Sequence, residues 1–335
     1  MKNVLIQLQN NGFDVHFNPE TFADLRKSCR LLEAAPVPDL TAAVSKEILE
    51  QTEVLITGWG SNRIEKEHLE RMPRLELVAH LAGSVKAVIT PEVLQSGIRV
   101  TQAAAINAKP VAQFALAIII LHNKRIPDWV QAYRQDRASY RMRQDPLNHM
   151  VGNRGRTIGI VGASRVGRSL ISLLQPHGLR VVVHDPFQSD AEIRALGAEP
   201  VSLHQLLRES DVVTLHQPLL PETYQSFGAK EFALMKDGAL FLNTARGAIV
   251  DHDALAKAMS GGRLFAVLDV TYPEPLPDAS PLWDMPNVVL TPHVAGSVGS
   301  EVADMTDGII DEICRYSQGK PLLHEVSIDL WEQVA

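Results

Sequence analysis

The residues best equipped for chemistry are Arg246, Glu274 and His293, and each follows an apolar, β-branched run. Arg246 lies in Asn243-Thr-Ala-Arg246-Gly247, Glu274 in Leu268-Asp269-Val-Thr-Tyr-Pro-Glu274-Pro-Leu276, and His293 in Leu290-Thr-Pro-His293-Val-Ala-Gly296. An imidazole can give a proton to a carbonyl oxygen and take it back in the reverse direction. A carboxylate beside it favours the imidazolium and fixes the ring tautomer. A guanidinium offers a planar fork of donors that fits a carboxylate or the paired oxygens of a 2-keto acid, and it polarises the carbonyl as charge develops. Singly, the three also read as a salt-bridged Arg, a surface Glu and a loop His. Their common placement after strands favours one site, because open parallel sheets bind ligands beyond the carboxyl ends of their strands.

A carbonyl that gains a proton on oxygen can gain a hydride on carbon, and one loop is suited to hold a hydride donor. Thr157–Val161 reads as a strand that runs into Gly162-Ala-Ser164-Arg165-Val166-Gly167 and then into a helix. This is the dinucleotide fingerprint position with Ser164 in place of the second glycine. Gly162 would make the tight turn and Gly167 would let helix pack on strand. The helix N-terminus, with the free N–H groups around Arg165 and Val166, would hold the pyrophosphate. Ser164 puts a Cβ where backbone should approach the phosphates; its hydroxyl either donates to phosphate or the substitution weakens cofactor binding. The next strand ends at Asp185, about 20 residues on, where an acid should bind the ribose hydroxyls and repel the 2′-phosphate of NADP. NAD is therefore the expected cofactor. The bland alternative is an Asp that starts a turn before Pro186.

These segments need a scaffold, and the chain supplies a regular one. Val4–Leu8, Val54–Thr57, Leu75–Leu81 and Ile98–Thr101 read as strands, followed by Thr157–Val161, Arg180–His184, Asp211–His216, Ala239–Thr244, Leu264–Val270 and Asn287–Thr291. The runs are continuously apolar, as expected of parallel strands covered on both faces. Helical patterns lie between them, among them Arg165–His177, Leu203–Glu209 and Asp253–Met259, and βαβα order implies an α/β fold with parallel sheets. One series fills residues 1–103 and a second about 150–293. Between them a helix is predicted over Val111–Lys124, then a polar arm, Asp128–Arg156. The arm carries Arg134, Arg137, Arg141, Arg143, Arg154 and Arg156 among Trp129, Tyr133 and Tyr140, a mixture favoured at subunit interfaces. A last helix is expected over about Val298–Gln318.

Composition narrows the function classes. The 335 residues are 45% hydrophobic and 21% charged, ordinary for a globular chain of two domains. A net charge of −7 argues against a nucleic-acid surface. The longest apolar run, Phe114–Leu121, is shorter than a membrane span requires. Two cysteines, Cys29 and Cys314, form no metal or redox spacing, and the twelve histidines form no zinc motif, so no metal site is expected. Free thiols fit a reducing compartment, and a cytoplasmic location is expected.

Together the motifs resemble the D-isomer-specific 2-hydroxyacid dehydrogenase family, whose pattern joins a GxGxxG loop to NxxRG, DVFxxEPL and TPHxAG segments. The similarity spans nearly the whole chain. It implies an NAD-dependent oxidoreductase with a Rossmann coenzyme domain, residues 104–293 with a helical arm at about 125–150, inserted into a flavodoxin-like substrate domain, residues 1–103 plus 294–335. It implies that Asp269 binds the nicotinamide carboxamide, and that His216, Pro218 and Thr223 belong to a loop under the nicotinamide ribose and phosphates. Thr244 and Ala245 would contribute backbone contacts near the ring, and Gly296 would close the cofactor side. Ala82, Gly83 and Ser84 match the loop that binds the substrate carboxylate through N–H groups, with Arg246 and His293 completing the substrate site in a cleft between the domains. Asn107 and Gln113 fall at the start of the interdomain helix. Lys86 departs from the usual Asp and Gln113 from the usual Glu; Lys86 would either favour a more acidic substrate or face solvent. Trp59 and the Pro281–Met285 loop are the expected sources of substrate selectivity. Partners are expected to be a small 2-hydroxy or 2-keto acid and a second copy of the chain, with no nucleic acid and no membrane. The competing expectation is an NAD-sensing regulator of the same fold with little turnover.

Overall fold

The computed structural model describes residues 1–9, 12–40, 44–138 and 151–333. The part of the arm that holds Tyr140, Arg141 and Arg143 lies outside them. The described chain divides into two compact units, Met1–Ala108 with Ser297–Ala335, and Lys109–Gly296.

The first unit holds five strands: β1 (Asn3–Gln7), β2 (Arg30–Leu31), β3 (Val54–Thr57), β4 (Leu77–His80) and β5 (Arg99–Gln102). They form one parallel sheet in the order β2-β1-β3-β4-β5, the flavodoxin-like arrangement. The second unit holds β6 (Thr157–Val161), β7 (Arg180–His184), β8 (Glu199–Pro200), β9 (Val212–Leu215), β10 (Leu240–Asn243), β11 (Phe265–Leu268) and β12 (Val288–Leu290). Its order, β12-β11-β10-β9-β6-β7-β8, is a doubly wound dinucleotide-binding sheet whose strand order reverses between β6 and β9. The strands β2 and β8 were not expected. Each is two residues long at a sheet edge, too short to show a pattern, and Pro200 is tolerated in β8 because an edge strand needs fewer N–H donors.

The continuous apolar runs have a simple cause. Successive side chains of a strand point to opposite faces, and both faces are covered. Ile158, Ile160, Val212, Leu240, Leu242 and Val267 enter one core, while Val161, Val213, Leu215, Phe241, Ala266 and Leu268 enter the other. The first unit repeats this: Val4, Ile6, Val54 and Ile56 lie on one side, Leu5, Leu55 and Val78 on the other.

The helix predicted from Val111 begins seven residues earlier and spans Ala104–Asn123. Pro110 reads as a stop signal in sequence. In the helix it removes one backbone donor, while the flanking Ala and Asn turn is already anchored by Ile106 and Asn107 N–H groups donating to Ala103 O. This lengthening also revises the membrane argument, because the helix is long and apolar enough by composition to cross a bilayer. Its Ala112, Ala115 and Ile119 are instead buried with Ile158 and Leu240 in the core. The last helix runs Val302–Ser317 after a tight turn at Gly299–Glu301. Its Glu312 is fully buried and accepts hydrogen bonds from Thr101 Oγ1, Leu323 N and His324 N, which ties the following segment back to β5.

Among the described residues His16, His80 and His216 are buried and His122 is half-buried, all as neutral rings. Burial holds His16, His80 and His122 down to about 4 and His216 to about 3, against an ordinary 6.5. The unfolded chain therefore takes up protons below about 6.5 that the folded chain refuses until about 4, so stability is complete above 6.5 and falls as pH drops through that window. The thermal midpoint is expected to decline from pH 6.5 to 4; a midpoint that stays level across that range would contradict the burial of these rings as neutral groups.

Candidate active site

The dinucleotide loop is built around two glycines that nothing else could replace. Gly162 has φ +96°, and a Cβ there would lie 2.6 Å from Gln217 N, because the chain after β9 passes directly over it at the strand-order reversal. A Cβ on Gly167 would lie 2.2 Å from Gly162 O. The middle position makes no such demand. Ser164 has φ −64° and ψ −177°, an ordinary extended conformation, and serves as N-cap of the helix Arg165–Leu174, its hydroxyl accepting from Gly167 N at 3.4 Å. The first-turn N–H groups of Arg165 and Val166 have no intrahelical acceptor and are available to an anion. Asp185, at the end of β7, accepts from Ala163 N at 2.7 Å and from Phe187 N at 2.8 Å, so the acid is already fastened to the glycine loop.

Other expected cofactor contacts divide into scaffold and surface. The His216 ring turns into the core, 5% exposed, and pairs with Thr214 Oγ1 at 3.0 Å; only its main chain borders Gly162. The ring continues the inward alternation of β9, so it is the main chain at His216 that faces the glycine loop. Thr223 Oγ1 donates to Pro218 O at 2.7 Å and accepts from Leu220 N at 2.7 Å, which folds the loop after β9. Ala245 offers no free backbone donor, since its N–H goes to Asn243 Oδ1, and its carbonyl accepts from Arg246. Thr244 Oγ1, by contrast, is buried with no partner among the described residues. An unmatched hydroxyl, a glycine cradle and an open helix N-terminus are what a bound dinucleotide would complete.

Asp269 is 2% exposed and organises the next segment. Its carboxylate accepts from Thr291 Oγ1 at 2.6 Å, Val294 N at 2.8 Å and Ala295 N at 2.9 Å, and its carbonyl accepts from His293 N at 3.0 Å. The expected carboxamide ligand is thus also the clamp of the histidine loop. His293 itself sits at φ +55°, an uncommon conformation for a residue with a side chain, held by these flanking bonds. Its Nδ1 lies 2.8 Å from Glu274 Oε1. That bond fixes the tautomer, leaving Nε2 as the atom that can exchange a proton with a ligand.

Arg246 follows β10 and is shaped by Asn243, a residue whose part sequence reasoning missed. Asn243 is fully buried, and its side chain donates to Arg246 O and accepts from Ala245 N, closing a turn. An Asn ending an apolar strand was the available signal. Burial lowers the Arg246 guanidinium from its ordinary value, and the charge of Glu274 opposes that shift, so the two groups feel each other. Arg246 Nη1 donates to Ala245 O, which leaves most of its five donors unmatched. The second unit therefore brings Arg246, Glu274 and His293 together, with Asp269 behind them.

In the first unit, Ala82, Gly83 and Ser84 follow β4. Val85 N is taken by Gln102 Oε1 at 3.1 Å, and the N–H groups of Ala82, Gly83 and Ser84 find no acceptor among the described residues. A Cβ on Gly83 would approach Asn107 Nδ2 to 3.2 Å, and Asn107 Oδ1 accepts from Ser297 N at 2.7 Å. The Lys86 ammonium lies over the Trp331 ring, 5.9 Å from its centroid. Trp59 is half exposed and stacks on His16 at 5.1 Å.

A doubly wound sheet with a glycine-bordered phosphate loop, carrying a histidine–carboxylate pair and a half-buried guanidinium beyond its strand ends, defines a dinucleotide-dependent oxidoreductase. Residues 116–295 match the model of the D-isomer specific 2-hydroxyacid dehydrogenase NAD-binding domain. The chain is 34% identical over 268 residues to a glyoxylate reductase of Aeropyrum pernix, covering 78% of each chain. It is 30% identical over 270 residues to a D-3-phosphoglycerate dehydrogenase of Archaeoglobus fulgidus, covering 80% of this chain and 50% of that one. A phosphoglycerate oxidoreductase of Rhizobium etli has a similar structure, with TM-score 0.81 and 26% identity over 98% of this chain and 99% of that one. The chain belongs to the D-isomer specific 2-hydroxyacid dehydrogenase family. It is an NAD-dependent oxidoreductase that acts on the CH–OH group of 2-hydroxy acids or reduces the matching 2-keto acids.

Proposed function

We propose that this protein reduces a small 2-keto acid, with His293 as the proton donor, Glu274 as its partner and Arg246 as the group that binds and polarises the substrate. The observation that carries this is the 2.8 Å His293–Glu274 bond beside a half-buried Arg246. NADH, when bound, supplies the hydride. Glu274 accepts from Nδ1 and holds the ring in place, so that Nε2 can deliver a proton to the substrate oxygen as it becomes an alkoxide. Arg246 stabilises that developing charge in a poorly solvated setting. The test is a panel of 2-keto acids with NADH, followed by loss of nicotinamide absorbance; turnover with none of them would overturn the reading in favour of an NAD-sensing protein.

Asp185 would receive the adenosine ribose hydroxyls and exclude a 2′-phosphate. NADH is expected to exceed NADPH in kcat/KM, and Asp185→Ala to narrow that gap by about tenfold or more, the equivalent of ~1.4 kcal/mol of discrimination. An equal preference in the unaltered protein would remove Asp185 from the ribose site.

Self-association is the second part of the proposal. Leu121, Ile126, Val130 and Tyr133 are 44%, 39%, 43% and 56% exposed along two consecutive helices, Ala104–Asn123 and Ile126–Gln135. An apolar stripe of that kind suits a second copy of the chain. Light scattering on a sizing column reads the mass directly, and a monomer would refute it. Two free thiols, Cys29 and Cys314, support a reducing, cytoplasmic setting.

A further inference from the structure

Two close approaches join the loops that carry Arg246 and Glu274 among the described residues, one of backbone and one through a side chain. At the first, Gly247 passes so close to Thr271 that a Cβ would lie 2.0 Å from its carbonyl atoms. At the second, His252 reaches across from the helix His252–Ser260, and its Nε2 lies 3.3 Å from Tyr272 N. Its other nitrogen, Nδ1, lies 3.1 Å from Val250 O.

The partners dictate the state of this ring. Tyr272 N–H can only donate, so Nε2 must accept. Val250 O can only accept, so Nδ1 must carry the hydrogen. The neutral Nδ1–H tautomer satisfies both, and burial favours the neutral ring by lowering its pKa from the ordinary value. Tyr272 lies two residues before Glu274, and Val250 lies four after Arg246. One imidazole therefore links the segment that presents the guanidinium to the segment that presents the carboxylate.

We propose that His252 is a positioning residue for this site: its ring holds the Tyr272–Glu274 segment against the Arg246 segment, and so sets where Glu274 meets His293. It touches neither substrate nor nicotinamide. The proposal rests on the reading of Glu274 as the partner of His293.

Two near-isosteres separate the ring's two bonds. In His252→Asn the side chain reaches the Nδ1 position, keeps the local contact to Val250 and loses Tyr272. In His252→Gln the side chain reaches the Nε2 position and its carbonyl can accept from Tyr272 N–H. The expected result is that Asn lowers kcat for 2-keto acid reduction about five- to tenfold, the equivalent of one hydrogen bond, with the NADH dissociation constant unchanged. Gln is expected to restore most of kcat. Wild-type kcat in the Asn variant, or equal impairment in both variants, would overturn the proposal. Imidazole 15N chemical shifts of His252 in the unaltered protein test the clasp without turnover, and the Nδ1–H tautomer is expected; an Nε2–H tautomer would refute it. If the tautomer is as expected but no 2-keto acid is reduced, the reading of Glu274 and His293 fails instead.

Discussion

His293→Gln is expected to lower kcat for 2-keto acid reduction by about a thousandfold, within the range that general acid catalysis contributes. The glutamine can still approach Glu274 and fill the space, but it holds no proton that it can release near neutral pH. NADH affinity is expected to stay near that of the unaltered protein, because the phosphate loop is built from Gly162, Ser164 and Gly167 and shares no hydrogen bond with His293. The measurement is steady-state turnover beside a fluorescence titration of NADH. Near-normal kcat would remove His293 as the proton donor, whereas a parallel loss of NADH binding would mean that the substitution has disturbed the loop clamped by Asp269.

Arg246→Ala is expected to damage KM and kcat together, lowering kcat/KM by about a thousandfold, since one group both binds the substrate carboxylate and stabilises the developing oxyanion. The geometry supports a dual role. Among the described residues one donor of Arg246 is matched, to Ala245 O, and the group is partly buried near the negative charge of Glu274. Arg246→Lys keeps a positive charge but loses the planar fork, so it should recover only a minor share of the loss. An unchanged KM in the Ala variant would show that the guanidinium points away from the substrate.

How much of this was readable beforehand differs from residue to residue. The layout of both sheets was legible because each strand is an unbroken apolar run, and such runs mark parallel strands covered on both faces. That Arg246, Glu274 and His293 would lie near one another was legible because all three follow strands of one parallel sheet, and Glu274 meets His293 within reach of the Arg246 charge. The position of Ser164 was legible, but its consequence was not: whether a Cβ is tolerated depends on φ, and φ is −64° there rather than positive. The inward turn of the His216 ring was not legible, because a loop motif does not say which residue still follows the strand's alternation. Asp269 was read as a ligand contact, while three of its acceptor sites hold Thr291, Val294 and Ala295. The turn that Asn243 closes and the role of His252 were not legible, since side-chain partners are set by how the chain folds and not by local pattern. The two-residue edge strands and the helix turn before Pro110 were lost for a similar reason, being decided by neighbours and not by local pattern.

The most direct test of the whole scheme is to follow the hydride. NADH carrying deuterium stereospecifically at C4 is incubated with the enzyme and the best 2-keto acid of the panel, and the product is examined by mass spectrometry and proton NMR. The expected product is the D-2-hydroxy acid with deuterium at C2, formed in step with NAD. The two C4 epimers of the labelled NADH are tested in turn, and one of them is expected to deliver its deuterium; keto acid consumed with deuterium at C2 of the acid from neither epimer would contradict hydride transfer to a 2-keto acid at this site.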